Sequence, residues 1–295
     1  YRGKPIPLCG VPLHVLDHHL AKLVKAGYHV AICEQLEEAR PGTIVKRGVP
    51  KVLTPGTLSD EKLLDEKRSS YLCAFFVTHD ALALVFGELL TGQLSATLIH
   101  ADDYRIVEAQ MHRYMPDEIV LDGTVSTKKW HALLKQSGFV LSDPVKGFVG
   151  DFSTWVSSFK KEDCDRLQKS ESLVAVLEVF YMYLKKNQEE ALVQFKNINL
   201  YRADDFLMID AATQRNLELM KNNQDGSTQH TLFQVLDRAL TSMGSRLIKK
   251  WIVSPLINKA QIEYRFDAVE ALVADVPSTQ QLADILRDIG DLERV

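Results

Sequence analysis

The sequence predicts a multi-domain protein in which mixed α/β units give way to an all-α segment. Three observations carry this. The chain has 295 residues, more than one typical domain, so two or three units should each bury a core. Residues 71–100 hold three short runs of β-formers separated by His79-Asp80 and Thr91-Gly92, the pattern of an antiparallel meander. Beyond Phe159 strand signals nearly vanish and apolar residues recur at helical spacing.

The first sixty residues read as a partial mixed α/β unit. Val15, Leu16, Leu20, Leu23 and Val24 follow helical spacing up to Gly27, and His29 to Cys33 reads as a buried strand. Lys51-Val52-Leu53 is a second strand. Pro50 just before it lacks a ladder donor, so this strand should sit at an edge or begin later. Thr54-Pro55-Gly56-Thr57 has the residues of a type II turn, with Gly56 at positive φ. Ser59 is placed to cap a short helix opened by Asp60 and Glu61.

The three strands of the second unit are Tyr71 to Thr78, Ala81 to Leu89 and Gln93 to His100. Helix Tyr104 to Tyr114, strand Glu118 to Leu121, helix Lys128 to Gln136 and strand Phe139 to Leu141 follow. A meander followed by helix and strand is the plan of a ribonuclease-H-like sheet, expected here over residues 61–160. Nucleases of that plan hold two metal ions with a carboxylate on the first strand. That strand reads Tyr-Leu-Cys-Ala-Phe-Phe-Val-Thr; Asp80 comes after it, and Glu88 and Asp122 alone do not make a site.

Residues 161–295 read as an incomplete helical bundle. Leu173, Leu177, Phe180 and Leu184 line a face that Val174, Val176 and Tyr181 widen. Further helices are expected at Ala211 to Met220, Thr231 to Leu240, Ser245 to Ile252 and Ala260 to Ala274. A stripe of Leu282, Ile285, Leu286 and Ile289 runs to Val295 without a capping signal. Because Tyr1 is no initiator either, both ends are expected to be cut.

The formal charge of −4 assigns any nucleic-acid affinity to a local patch. Lys4, Lys46 and Arg47 belong to a modest basic excess in the first sixty residues and are the candidates for DNA-backbone contact. A solvated surface explains them equally well. Cys9, Cys33, Cys73 and Cys164 stand far apart, which suits buried free thiols in a reducing compartment. His14 and His18 sit four apart with no third ligand placed, so no metal is expected. No P-loop, HExxH, GxSxG or kinase signature occurs, so no catalytic residue is assigned. No apolar run approaches a membrane span; no membrane partner is expected, and the expected setting is the cytoplasm, at the nucleoid.

Three blocks near the start resemble the mismatch-recognition domain of the bacterial MutS family. They are Pro5-Ile6-Pro7-Leu8-Cys9-Gly10-Val11-Pro12-Leu13-His14, then Tyr28-His29-Val30-Ala31-Ile32-Cys33-Glu34-Gln35-Leu36, then Thr54-Pro55-Gly56-Thr57. Asp210 to Leu219, Leu232 to Asp237, Thr241 to Leu247 with Trp251, and Ile289 to Arg294 resemble the family's core domain. The resemblance implies a layout: the end of the mismatch-recognition domain over 1–60, a connector over 61–160, and the first core or lever helices over 161–295. It implies a larger homodimeric machine that binds mismatched duplex DNA, uses ATP and Mg2+ to form a sliding clamp, and recruits a MutL-like partner. The family's Phe-x-Glu reader would precede Tyr1 and its ATPase would follow Val295, so this segment itself needs no cofactor. Structural roles fall to Gly10 and Pro12 (strand end, helix start), Pro55 and Gly56 (turn) and Gly244 (close helix approach). The alternative is a stand-alone interaction module that docks a MutL-like partner.

Overall fold

A computed structural model of the chain describes residues 11–38, 44–58, 66–124, 127–145 and 151–294. Helix α1 (Leu16–Lys25) lays Leu20 and Val24 on a two-stranded ribbon of β1 (Val30–Gln35) and β2 (Arg47–Leu53), closing a small core with Leu53 and Leu58. The ladder breaks where Pro50 stands: Ile32 faces Lys51 but Glu34 faces Gly48, so Val49 and Pro50 form a bulge. A residue without an N–H is tolerated there. Thr54-Pro55-Gly56-Thr57 is a 3-10 turn, and Gly56 is not among the positive-φ glycines. The expected type II geometry is therefore corrected. What Gly56 provides is clearance, since a Cβ would lie 2.8 Å from Glu118 Cβ and Leu72 Cδ1. The helix expected from Ser59 lies outside the described residues.

Strands β3 (Tyr71–Val77), β4 (Ala81–Glu88) and β5 (Gln93–His100) form the antiparallel meander. Helix α2 (Tyr104–Tyr114) leads to β6 (Glu118–Leu121), which pairs parallel with β3. Helix α3 (Thr127–Gln136) leads to β7 (Leu141–Ser142), parallel to β6. This last strand starts later than expected because Gly138, at φ +85°, and Phe139 still bond back to α3. The sheet is buried on both faces, which is why its strands read as nearly continuous apolar runs. Cys73, Phe75, Leu84 and Phe86 face α2 and α3, while Leu72, Ala74, Ala83 and Val85 face the opposite layer.

That opposite layer corrects the expectation of a bundle after Phe159. It comprises α4 (Phe152–Ser157), α5 (Lys161–Leu167) and α6 (Glu171–Asn187). Phe180, Leu177 and Leu184 of α6 share one core with the sheet. Gly87 makes the approach possible: a Cβ there would sit 2.3 Å from Phe180 Cζ. A further strand, β8 (Asn199–Leu200), adds to the sheet parallel to β5, giving the order β7-β6-β3-β4-β5-β8.

Helices then dominate: α7 (Ala211–Asn216), α8 (Leu232–Leu236), α9 (Ser242–Val253), α10 (Lys259–Ala274) and α11 (Val276–Arg287). The first is shorter than expected because Glu218 turns left-handed at φ +47° and Leu219 N–H bonds back to Gln214 O. The helix that carries Leu282, Ile285 and Leu286 ends at Arg287, before Ile289 of the expected stripe. Among the described residues no helix is long and apolar enough to cross a membrane.

Candidate functional site

Two buried ionic joints connect the sheet to what lies on either side of it. The first is built around Glu118, whose side chain is fully buried at the start of β6. A carboxylate so placed needs several donors to remain charged. Gly56 N–H donates to its Oε2 at 2.8 Å, and so does the Thr54 hydroxyl. Ser142 on β7 and Tyr183 on α6 both donate to Oε1, and His29 Nε2 lies 3.3 Å from the same oxygen. One side chain thus holds the ribbon unit, two strands and the covering helix. Burial is the largest influence on Glu118 and pushes its pKa up, but the donations from His29, Ser142, Thr54 and Tyr183 together hold it below the usual value. The hydrogen bond to Glu118 raises the His29 pKa against the smaller effect of its own burial. Burial first, then Glu118, drives the Tyr183 phenol far up.

The second joint lies at the same end of β3, where Tyr71 faces Glu88 on one flank as Leu72 faces Glu118 on the other. Three consecutive carbonyls accept from three cations of the helical segment: Glu66 O from Arg246 Nη1 at 2.8 Å, Lys67 O from Lys249 Nζ at 2.7 Å, and Arg68 O from Arg294. Arg246 is also gripped bidentately by Asp291 at 2.6 and 2.8 Å and by Glu293 at 2.7 Å. The bonds to Arg246 hold Asp291 below its ordinary pKa. Arg294 reaches Glu88, buried at the end of β4, at 3.4 Å. Burial raises the Glu88 pKa even so, against the nearby Arg294 and Arg246 charges. Thr241 caps α9 by accepting from Gly244 N–H at 3.1 Å, while Ser245 donates to Asp237 at 2.9 Å.

The residues singled out from sequence are scattered. Lys46 and Arg47 are exposed at the start of β2, with the Lys46 N–H bonded to Glu37 Oε1 at 2.6 Å. Lys4 and Gly10 lie outside the described residues, and Pro12 is exposed ahead of α1. Pro55 and Gly56 form the turn that delivers an N–H to Glu118. Gly244 makes no close helix approach; a Cβ there would crowd Ala239 and Thr241 at 3.1 Å. His14, His18 and His19 are exposed, and no cluster of His, Cys, Asp or Glu suited to a metal occurs among the described residues. Cys33 is exposed, contrary to expectation; Cys73 is buried and Cys164 half-buried, all as free thiols. Cys9 lies outside the described residues. Glu88 faces Tyr71 at one end of β3, whereas Asp122 accepts from Val77 N–H at the other. Six residues of strand separate them, about 20 Å, so they do not converge on one metal pair.

Glu118, His29, Arg246 and Arg294 were missed as joint residues. Their partners stand up to 226 positions away in sequence, and only the fold brings them together. A lone glutamate opening the apolar run Glu118 to Leu121 was the one visible signal.

The chain also matches known proteins. A model described as MutS domain I matches residues 1–62, and one described as MutS domain III matches residues 212–295. A protein named DNA mismatch repair protein MutS from Clostridium novyi (strain NT) is 33% identical over 295 residues, 98% of this chain and 32% of that protein. Proteins of the same name from Clostridium tetani (strain Massachusetts / E88) and Clostridium botulinum (strain Okra / Type B1) are each 31% identical, over 99% and 98% of this chain. The chain spans about a third of the length of these relatives. With both domain models matching in order and similarity running along nearly its whole length, the chain belongs to the MutS family of DNA mismatch-repair proteins.

Proposed function

We propose that the chain is the transmission segment of a mismatch-recognition machine, passing strain between a DNA-reading end and a nucleotide-responsive end. The observation that carries this is the pair of ionic joints that flank the start of β3: Glu118, beside Leu72, holds residues 29–56, and the 66–68 carbonyls, leading into Tyr71, hold α9 and residues 291–294. A six-stranded sheet gripped at one end by two such joints moves as a block. The strand order, with β6 and β7 parallel to the first strand of a meander, supports a ribonuclease-H-like connector. Because α6 and β8 belong to its layers, the boundary with the lever segment is proposed after Leu200 instead of near 160. Mismatched duplex DNA as the target, ATP with Mg2+ at a nucleotide site elsewhere in the machine, homodimer formation and a MutL-like partner are part of the same proposal. They rest on the family.

A second reading, a module that docks a MutL-like partner, is favoured by α10, where Tyr264 is 77% and Phe266 66% exposed. Fluorescence anisotropy with matched and mismatched duplexes tests the first reading. The 295-residue chain should bind both equally and weakly, through phosphate contacts at Lys46 and Arg47. Affinity should fall by about tenfold or more between 50 and 200 mM salt. A marked preference for the mismatch, or binding insensitive to salt, would contradict it.

A further inference from the structure

Between α2, α7 and α9 lies a cleft of about 680 Å3, within the ~300–1,000 Å3 range of small-molecule sites. In a chain with a net charge of −4, its wall carries seven Lys and Arg side chains and no Asp or Glu. Some of these cations are already engaged. Arg246 is held by Asp291 and Glu293, Arg68 by Asp117, and Lys249 donates to Lys67 O. Four are not: among the described residues Arg113, Arg215, Lys221 and Lys250 make no ion pair with a carboxylate.

Arg113 is the most telling. Its guanidinium lies 3.8 Å from the Phe206 ring centroid and 4.9 Å from that of Tyr201. Its Nε and Nη1 are buried with no hydrogen-bond partner. Aromatic faces offset part of the desolvation of a cation, but they supply neither counter-charge nor acceptor oxygens. Lys250 is held below the ordinary ammonium range, by desolvation first and then by the Arg113 charge. The two cations therefore repel across the cleft, and an anion seated between them relieves both.

We propose that this cleft binds a short chain of phosphoryl groups, either free polyphosphate or the tail of a nucleotide. Phosphate oxygens match several convergent cations better than a single carboxylate does, and guanidinium groups bind them bidentately. Arg113 would form the inner contact, with Arg215 and Lys221, both exposed at the mouth, as outer contacts. The two tyrosines and two methionines on the wall, Tyr71, Tyr114, Met115 and Met220, give a nucleoside an apolar surface to lie against.

Isothermal titration calorimetry of the 295-residue chain with sodium tripolyphosphate and with magnesium-free ATP tests this. Both should bind, and raising the salt from 50 to 500 mM should weaken both several-fold. Equal affinities point to free polyphosphate; tighter ATP binding points to a nucleotide. Arg113→Gln should weaken binding about tenfold. Because Arg113 is packed among rings, the exposed pair Arg215→Gln and Lys221→Gln provides a second variant that leaves the thermal midpoint unchanged, with a loss of about tenfold. No binding of either probe, or unchanged binding by the correctly folded double variant, overturns the proposal.

Discussion

Glu118 and His29 show how far a single pair can set the behaviour of a joint. The folded pKa of His29 is raised, so its contribution is complete below 6.5 and is lost as pH rises through the folded value. That of Glu118 is depressed, so its contribution is complete above 4.5 and is lost as pH falls through the folded value. Both are therefore fully present between these limits. An NMR titration should place the His29 midpoint above 6.5, and Glu118→Gln should return it toward the ordinary value. A midpoint at or below 6.5 in the unsubstituted chain would show that the pair does not form. None of this was legible beforehand. His29 reads as the first residue of a strand and Glu118 as the start of another, because partners 24 to 89 positions apart leave no local pattern.

Where local forces decide, elements were legible. Helix Tyr104–Tyr114 and strand Glu118–Leu121 begin and end where their sequence signals do, since an N-capping aspartate and a proline break act within a few residues. Helix α6 was legible as a helix but not as a cover for the sheet. A helix apolar around much of its circumference looks the same whether helices or strands surround it. Its seat depends on Gly87, in line with the 2.3 Å that would separate an added Cβ from Phe180. Gly87→Ala should therefore destabilise the chain by about 1–3 kcal/mol, measured by urea unfolding. A loss confined to a few tenths would mean that α6 can shift aside without strain. The type II turn expected at Pro55-Gly56 does not form for a related reason: the sequence pattern calls for positive φ at the glycine, whereas tertiary packing demands a missing side chain.

At the scale of the whole molecule, the proposed transmission makes the sheet the stiff part and the joints the places where motion enters and leaves. The meander with β6 and β7 was legible as a unit, whereas β8 was not. What they connect was not, because the connections run through Arg246, Arg294 and three backbone carbonyls that no periodicity announces. The central claim is that the two joints are coupled through the sheet. Amide hydrogen exchange on the unsubstituted chain and on Glu118→Gln tests it most directly. Coupling predicts faster exchange in residues 51–58, beside the altered carboxylate, and also in α9 at the second joint, by at least about fivefold. Faster exchange confined to residues 51–58, with α9 unchanged, would contradict transmission and leave the segment a passive spacer.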